Sequence, residues 1–385
     1  MVRMLTMDKT RMKNKIMFKI KQYLKMILQN LVLPFVYNFW SFMYRNKEKN
    51  LIIFADAHHC QLPFSMEYIH EVLEKKGHCI IDVLYNTSQI SQIKATWISI
   101  KFMKLYAKAK YIFICDNFLP VSSCKKSAKT KVIQLWHCCG IFKKMGYDTS
   151  EDIPAYYKGV VYKNYDLVTV SSPICVEPIS KAMRLPKEVV QPIGVSRTDT
   201  YFDNTWHENC KKYFYDKYPN AKGKKVILWA PTFRGNATDP KLIGMDAIKS
   251  VEAKLGDEYY FIYKIHPHID DRYHFSNCEI QTEYLFPVVD LLITDYSTVL
   301  IEFLFFEKPF VLFAPDLNEY EQKRGFYVDY NTLSPYIAVD EVDLVNDIHA
   351  ALKDFPLDWI ISLRSFHALS CDGHSTERIV EMLKL

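Results

Sequence analysis

The chain has 385 residues, of which 49% are hydrophobic and 24% are charged, and its net charge is +5. This is a globular composition, and a chain of this length is expected to form two domains. The charge is uneven, because residues 1–45 carry nine Lys or Arg and one acid, a net +8, whereas the other 340 residues carry 40 basic and 43 acidic side chains. The body is therefore not a nucleic-acid binder by charge.

Cysteine and glycine patterns exclude several common sites. The ten cysteines form neither a CxxC pair nor a His/Cys cluster at zinc-ligand spacing, which favours a reducing compartment and no dedicated metal site. The chain has only eleven glycines and contains neither a GxGxxG turn nor a GxxxxGK[ST] loop. The ordinary dinucleotide and P-loop interpretations therefore lose their main support.

The first predicted element is a basic amphipathic helix, whose apolar side chains recur at helical spacing at Ile16, Ile20, Leu24, Ile27, Leu28 and Leu31. Such a pattern is typical of a helix lying in the interface of an anionic membrane. Met26–Tyr44 is also long enough to span a bilayer, although polar residues interrupt it and its aromatic residues favour the interface. A spanning helix and a purely intramolecular helix stay open as alternatives. We expect residues 1–48 to be a peripheral membrane-association segment at the cytoplasmic face.

From Leu51 onward, short apolar runs alternate with helical stretches, which is typical of parallel sheets covered on both faces. The predicted strands are Leu51–Phe54, Ile80–Leu84, Tyr111–Cys115, Val132–Leu135, Leu167–Val170, Val190–Ile193, Val226–Trp229, Phe261–Ile265, Leu291–Thr294 and Phe310–Phe313. A polar stretch, Asn204–Lys224, separates the two sets. We predict Rossmann-like, doubly wound α/β domains over residues 49–205 and 206–385 that face a cleft, where ligands bind at the carboxyl ends of the strands.

One strand is followed by a pattern suited to an anion. Asp290–Phe303 predicts a buried strand that turns into a helix, with the hydroxyls of Ser297 and Thr298 at the turn. Phosphate oxygens bind the unpartnered N–H groups of a helix's first turn. The alternative is that Ser297 or Asp295 only caps the helix.

Further polar motifs follow four other predicted strands. At any single strand end, a histidine could instead be a structural residue whose hydrogen bonds are satisfied within the fold. These motifs resemble the CDP-glycerol glycerophosphotransferases, the teichoic-acid primases and polymerases of bacterial envelopes, from about Leu51 to Lys384. The matching motifs are Leu135–Asp148, Gly194–Asp199, Ala230–Arg234, Lys264–Pro267, Thr294–Thr298 with Glu302, Arg324–Tyr327 and Asp372–Arg378. The resemblance implies a two-Rossmann glycosyltransferase B fold. It also implies transfer of a polyol phosphate, such as glycerol phosphate, from a CDP-activated donor to a hydroxyl of a lipid-linked acceptor, with release of CMP, in teichoic-acid or capsule-like polymer synthesis.

By this resemblance the donor lies mainly on the second domain. The expected donor-binding residues are Trp136, His137, Cys138, Cys139, Gly140, Arg197, Pro231, Thr232, Lys264, Ile265, His266, Ser297, Thr298 and Glu302. Of these, Ser297 and Thr298 would bind the diphosphate, Arg197 and Lys264 would neutralise it, and Glu302 could accept a hydrogen bond from a ribose or polyol hydroxyl.

Two histidines are the catalytic candidates, because imidazole titrates near neutrality. His137 would be the base on the acceptor hydroxyl and His266 would serve the leaving phosphate, although these roles could be reversed. His58 and His59 also follow a predicted strand and are secondary candidates.

No cofactor is expected to be required, although a diphosphate could recruit Mg²⁺ from solution. Cys138, Cys139, Phe233 and Thr298 depart from the family pattern, which leaves CDP-glycerol and CDP-ribitol both open as donors. The short N-terminal region suits a primase and a short polymerase equally. The alternatives are a nucleotide-sugar glycosyltransferase of the same fold and a non-catalytic membrane scaffold. The sequence makes no prediction of the acceptor lipid or the oligomeric state.

Overall fold

The computed structural model describes residues 20, 22–236, 239–265, 269 and 274–385. These residues form two compact units. The first comprises the described residues up to Trp136 with Ile153–Thr169 and Met183–Val190, and the second comprises His137–Asp152, Val170–Ala182 and the described residues from Gln191 onward. The domain boundary predicted between residues 205 and 206 stays a prediction. Both of these residues belong to the second unit.

A six-stranded sheet, in the order β2–β1–β3–β4–β5–β6, is built from the first half of the body. Its strands are β1 (Leu51–Asp56), β2 (Ile80–Leu84), β3 (Ala109–Ile114), β4 (Lys131–Gln134), β5 (Leu167–Thr169) and β6 (Val190–Gln191). The pairs β1–β2, β1–β3, β3–β4 and β4–β5 are parallel. Every residue of β1 is buried, as expected of a central parallel strand.

Four helices precede or cover this sheet: α1 (Leu33–Met43), α2 (Phe64–Lys75), α3 (Gln92–Lys108) and α4 (Leu119–Ser122). Residues 22–27 are also helical and lead through a π-helical turn, Leu28–Val32, into α1. The N-terminal helix is therefore confirmed over these residues, whereas Ile16 lies outside the described part of the chain. In the part of the chain described, no helix combines the length and the apolar character needed to cross a membrane.

One face of the N-terminal helix packs within the first unit. Leu33 and Tyr37 are buried, and the Tyr37 ring lies 5.0 Å from the Tyr106 ring of α3. The Tyr37 hydroxyl accepts a hydrogen bond from the Ser127 backbone N–H at 2.8 Å. The N-terminal helix is thus anchored to the first unit by a narrow stripe of buried side chains that includes Leu33 and Tyr37.

The second unit contains a five-stranded parallel sheet in the order β10–β7–β11–β12–β13. Its strands are β7 (Lys225–Ala230), β10 (Tyr259–Tyr263), β11 (Leu291–Thr294), β12 (Phe310–Phe313) and β13 (Ile337–Ala338), with a small antiparallel hairpin of β8 (Arg234–Asn236) and β9 (Asp239–Lys241). Trp229 and Ile293 lie in its buried core. Since β7 and β11 are adjacent and parallel, the loops after them meet at one edge.

The remaining helices are α5 (Val176–Met183), α6 (Asn204–Lys217), α7 (Met245–Leu255), α8 (Thr282–Leu285), α9 (Val299–Phe303), α10 (Leu317–Lys323), α11 (Glu341–Lys353), α12 (Leu357–Ala368) and α13 (Ser375–Leu383). All ten predicted strands are present, with ends within two residues of those predicted. The three short strands β8, β9 and β13 were not predicted, because two or three residues leave little hydrophobic pattern.

Candidate functional site

The loop His137–Asp152 follows β4 and belongs to the second unit. It is held there by backbone hydrogen bonds, from Lys144 N–H to the Gly325 carbonyl at 3.0 Å and from Tyr327 N–H to the Phe142 carbonyl at 2.6 Å. Gly325 has φ +77°, and a Cβ at this position would lie 3.2 Å from Cδ of Lys144. The glycine therefore permits both the left-handed backbone and the close approach of the loop.

Arg197 fixes the start of this loop. Its side chain is buried, with the residue only 5% exposed, and Nη1 donates a hydrogen bond to the His137 carbonyl at 2.6 Å. Nη2 lies 3.2 Å from Oε2 of Glu302 and also pairs with Glu283. The Tyr201 hydroxyl donates to the same Glu302 oxygen. His137 itself is exposed, so the candidate base is accessible while its backbone is held.

The pKa values of both Arg197 and Glu302 are shifted in this buried ion pair. Burial raises the pKa of Glu302 to about 6, although Arg197 acts in the opposite direction. Burial alone would lower the pKa of Arg197, but the Glu302 and Glu283 carboxylates raise it well above its usual range. The predicted contacts of Arg197 with the diphosphate and of Glu302 with a hydroxyl stay predictions, and they would have to compete with these internal partners.

The predicted anion turn is present but its helix is short. Strand β11 leads through Ser297 and Thr298 into α9, which has five residues. Ser297 Oγ accepts from the Val299 N–H at 3.3 Å, whereas Thr298, the N-cap residue, makes no such bond. Ser297 therefore caps the helix, as the alternative interpretation of the sequence expected. Because one short turn aligns few peptide dipoles, hydroxyl and N–H groups would have to supply most of any phosphate affinity here.

Asp295 does not cap the helix but joins two strand ends. Its Oδ1 accepts from the backbone N–H groups of Thr232 at 2.7 Å and Tyr296 at 2.6 Å. Its Oδ2 lies 2.9 Å from Nη1 of Arg234. The carboxylate therefore fixes the loop after β7, which carries Pro231 and Thr232, against the loop after β11.

Arg234 is a structural cation for which the sequence analysis assigned no role. Two of its nitrogens, Nε and Nη2, bind the two carboxylate oxygens of Asp316 at 2.6 and 2.8 Å. The guanidinium carbon lies 4.6 Å from the centre of the Tyr296 ring and 5.1 Å from that of Tyr320. This bidentate, stacked arrangement requires arginine and not lysine. Its place in the Ala230–Arg234 motif was the only signal in the sequence.

The other predicted donor residues after β4 are Trp136, Cys138, Cys139 and Gly140. Trp136 belongs to the first unit and has φ 61°, a rare conformation for a bulky residue that marks a strained loop start. Cys139 is buried, and Gly140, with φ +70°, donates its N–H to Ser171 Oγ at 2.7 Å. Burial raises the pKa of the Cys138 thiol to about 11, so this thiol is not a nucleophile near neutrality.

The segment after β10 is only partly described. Lys264 Nζ donates to the Cys278 carbonyl at 3.0 Å, and Ile265 is buried. His266 lies outside the described residues, so its predicted role stays a prediction. Among the residues described, no group of three or more His, Cys, Asp or Glu side chains could hold a metal ion.

Comparison with known proteins identifies the family that shares this arrangement. A family model described as CDP-glycerol:poly(glycerophosphate) glycerophosphotransferase matches residues 37–385. The chain is 31% identical to the teichoic acid poly(ribitol-phosphate) polymerase of Bacillus spizizenii, over 87% of this chain and 56% of that protein, so it spans little more than half of that relative. It is 28% identical to the teichoic acid ribitol-phosphate primase of the same species, over 86% of this chain and 90% of the primase. With the teichoic acid glycerol-phosphate primase of Bacillus subtilis it shares 33% identity, over 74% of this chain and 76% of that protein.

Solved structures show the same fold. The wall teichoic acid polymerase TagF matches with a TM-score of 0.72 at 19% identity, over 95% of this chain and 97% of that chain. A UDP-GlcNAc 2-epimerase of Methanocaldococcus jannaschii matches with a TM-score of 0.55 at 14% identity, over 88% of this chain and 99% of that chain. At such identities the likeness concerns the fold alone. It confirms the predicted glycosyltransferase B class, an α/β fold with parallel sheets.

Proposed function

The chain belongs to the CDP-glycerol:poly(glycerophosphate) glycerophosphotransferase family, and from this premise we propose that it transfers a polyol phosphate from a CDP-activated donor. The acceptor is a hydroxyl of a lipid-linked molecule in teichoic-acid or a related envelope polymer, and CMP is released. The family match over residues 37–385 carries this proposal, because it includes every predicted donor-binding motif. It favours this reaction over nucleotide-sugar transfer and over a non-catalytic scaffold.

Glycerol phosphate is the proposed unit, with ribitol phosphate as the alternative. The relative at 33% identity is named for glycerol phosphate, whereas those at 31% and 28% are named for ribitol phosphate. A crystal of a TagF variant was soaked with CDPG. The choice depends on pocket shape around the polyol, which small differences in side chains can reverse.

The chemistry needs positioning and charge stabilisation more than covalent work. The acceptor oxygen attacks the phosphorus that carries the polyol, the bond from that phosphorus to the CMP oxygen breaks, and CMP leaves with the electron pair. The proton of the attacking hydroxyl passes to a base. His137 is the proposed base, supported by its exposed side chain and by the Arg197 hydrogen bond that holds its backbone.

Attachment to the surface of an anionic membrane is proposed for the N-terminal helix. Opposite its buried stripe, the helix exposes Tyr23, Leu24, Ile27, Leu31, Phe35, Phe39 and Phe42. Phe35 is 77% exposed and Phe42 is 61% exposed, and residues 1–45 carry the net +8. An apolar face with neighbouring positive charge fits the interface of a bilayer rich in anionic lipid.

An assay of CMP release tests the function directly. The purified protein is given CDP-glycerol, CDP-ribitol or a UDP-sugar, each with lipid-linked acceptors in anionic vesicles. We expect acceptor-dependent CMP release from one CDP-polyol and no UDP release from the nucleotide sugar. Turnover of the UDP-sugar, or no turnover of either CDP-polyol with any acceptor, would overturn the proposal.

A further inference from the structure

His367 lies near the end of α12, in the interior of the second unit. The residue is 1% exposed, and its imidazole is not among the groups proposed for the transfer. Burying an imidazole costs free energy unless its ring nitrogens make hydrogen bonds. The partners of His367 therefore indicate what this side chain does.

The ring of His367 binds the loop that carries the candidate base. Its Nδ1 accepts a hydrogen bond from the Ile141 N–H at 3.4 Å, a long hydrogen bond that is shielded from water. Burial lowers the pKa of His367 to about 4, so the ring is neutral near pH 7. Since an accepting Nδ1 carries no proton, the ring proton is on Nε2. Only the neutral ring in this tautomer can hold the Ile141 N–H.

The backbone of His367 holds the same loop through a second path. Its carbonyl accepts a hydrogen bond from Ser171 Oγ at 2.7 Å, and Ser171 Oγ in turn accepts from the Gly140 N–H at 2.7 Å. The Phe366 carbonyl accepts from Ser172 Oγ, also at 2.7 Å. Carbonyls in the last turn of a helix lack partners within the helix. Both serines therefore cap the end of α12, and Ser171 also binds the loop.

Gly140 is in close contact with this histidine. A Cβ at position 140 would lie 3.1 Å from both Cβ and Nδ1 of His367, and the glycine has φ +70°. The anchored amides thus come directly after His137–Cys139. Before them, Arg197 donates a hydrogen bond to the His137 carbonyl at 2.6 Å. The backbone that carries the candidate base is therefore held at two points, and all of these contacts lie within the second unit.

Resting on the proposed function, we infer that His367 is a positioning residue for His137. Its ring and its carbonyl hold the loop in the conformation that presents the candidate base to the acceptor hydroxyl. A displacement of about 1 Å can lower a rate roughly a hundredfold, so loss of this anchor should affect turnover more than donor binding. No sequence pattern singles out His367, which precedes the Asp372–Arg378 motif and follows no predicted strand.

Two readouts on the full chain separate this role from a purely structural one. Hydrogen exchange followed by mass spectrometry reports the amides of Gly140 and Ile141, and CMP release with lipid-linked acceptors in anionic vesicles gives kcat and KM for the CDP-polyol. His367→Leu removes the hydrogen-bond acceptor. Exchange of these amides should then be about ten- to a hundredfold faster, because a buried N–H loses its partner. We expect kcat to fall by a similar factor while KM for the donor changes less than about twofold.

A conservative variant and two further substitutions complete the design. His367→Asn should restore much of the protection and of kcat, because its side-chain oxygen takes the place of Nδ1. Leu344→Ala is the matched control for lost stability, since it truncates a buried side chain of α11 in the core of the five-stranded sheet, and its kcat should stay near that of the wild type. Ser171→Ala removes the other anchor and should increase exchange at Gly140 and lower kcat even if His367→Leu fails to fold.

Three results would overturn the inference while leaving the proposed function intact. The first is unchanged exchange of the two amides in His367→Leu, and the second is faster exchange at wild-type kcat. The third is an equal loss of kcat in His367→Leu, His367→Asn and Leu344→Ala, which would indicate general destabilisation. A wild type that turns over no CDP-polyol would instead overturn the proposed function together with this inference.

Discussion

The guanidinium of Arg197 donates a hydrogen bond to the backbone carbonyl of His137 at 2.6 Å, across 60 residues of sequence. The arginine is buried and also pairs with Glu302 and Glu283. It therefore connects the position of the candidate base to an internal charge network. This arrangement makes Arg197 a positioning residue, whatever contact it makes with the donor.

Replacing Arg197 should destabilise the protein. Arg197→Met leaves the carboxylates of Glu302 and Glu283 without their cation, and removal of one partner of a buried pair costs about 3–5 kcal/mol. Urea unfolding measures this loss. Arg364→Met is the control, because the partly exposed pair of Arg364 with Glu307 should contribute less than about 1 kcal/mol. Similar losses in the two variants would contradict the network.

Arg197→Lys distinguishes positioning from diphosphate binding in the folded enzyme. Lysine keeps the charge but cannot reach the His137 carbonyl and both carboxylates together. If positioning dominates, kcat falls while KM for the CDP donor changes little; if diphosphate neutralisation dominates, KM rises. Initial rates of CMP release over a range of donor concentrations decide between these results.

The pH dependence of stability should report Glu302. Burial raises the pKa of Glu302 to about 6, above the ordinary value of about 4.3, so between these pH values the folded state holds a proton that the unfolded state releases. Through this group the free energy of unfolding falls as pH rises across that window. Glu302→Gln should lack this fall, whereas Glu208→Gln, on the exposed face of α6, should keep it. Parallel urea-stability curves for the wild type and Glu302→Gln would refute the shift.

Loss of the candidate base should affect turnover and not folding. His137→Ala should lower kcat by roughly 10²–10⁴, the span of general acid–base groups, and leave the free energy of unfolding nearly unchanged because the side chain is exposed. Donor binding should persist in this variant and weaken in His266→Ala. His349→Ala, an exposed histidine on α11, is the control. Near-normal turnover of His137→Ala would transfer the base role to Asp148 or to His58 and His59.

Removal of one hydroxyl at the predicted anion turn should weaken donor binding. If the Ser297 hydroxyl binds the diphosphate, Ser297→Ala should raise KM for the CDP donor, because the lost hydrogen bond contributes on the order of 1–3 kcal/mol of binding free energy. The capping bond of Ser297 to Val299 contributes to stability instead, and urea unfolding measures that part separately. Ser88→Ala, in an exposed turn, is the control. Wild-type KM would exclude the assignment.

Vesicle binding should depend on the exposed face of the N-terminal helix. The double variant Phe35→Glu with Phe42→Glu should bind anionic vesicles more weakly at unchanged stability, because both side chains are exposed. Tyr213→Glu, a half-exposed aromatic of α6, is the control. Point substitutions test the exposed face more specifically than deletion of residues 1–45, because deletion would also remove the buried contact of Tyr37 with Tyr106. Unchanged vesicle affinity of the double variant would refute the proposed membrane surface.

The order of strands and helices could be read from the sequence, because burial on both faces of a parallel sheet leaves continuous apolar runs such as Leu291–Thr294. The same reasoning located the polar loops, since strand ends in such sheets carry ligands. The family resemblance then assigned residue types to those loops, and the match over residues 37–385 confirms the family. These features are local, because each depends on residues that lie within about fifteen positions of one another in the sequence.

Only the tertiary structure decided which polar groups pair with one another. Arg197 and Glu302 are 105 residues apart, and no periodicity joins them, yet they form one buried ion pair. Asp295, which the sequence left open as a helix cap, instead accepts a hydrogen bond from the Thr232 backbone N–H. Hydrophobic periodicity reports which face of an element is buried. The pairing of charges depends on how loops distant in sequence meet, and that is set by the packing of the whole chain.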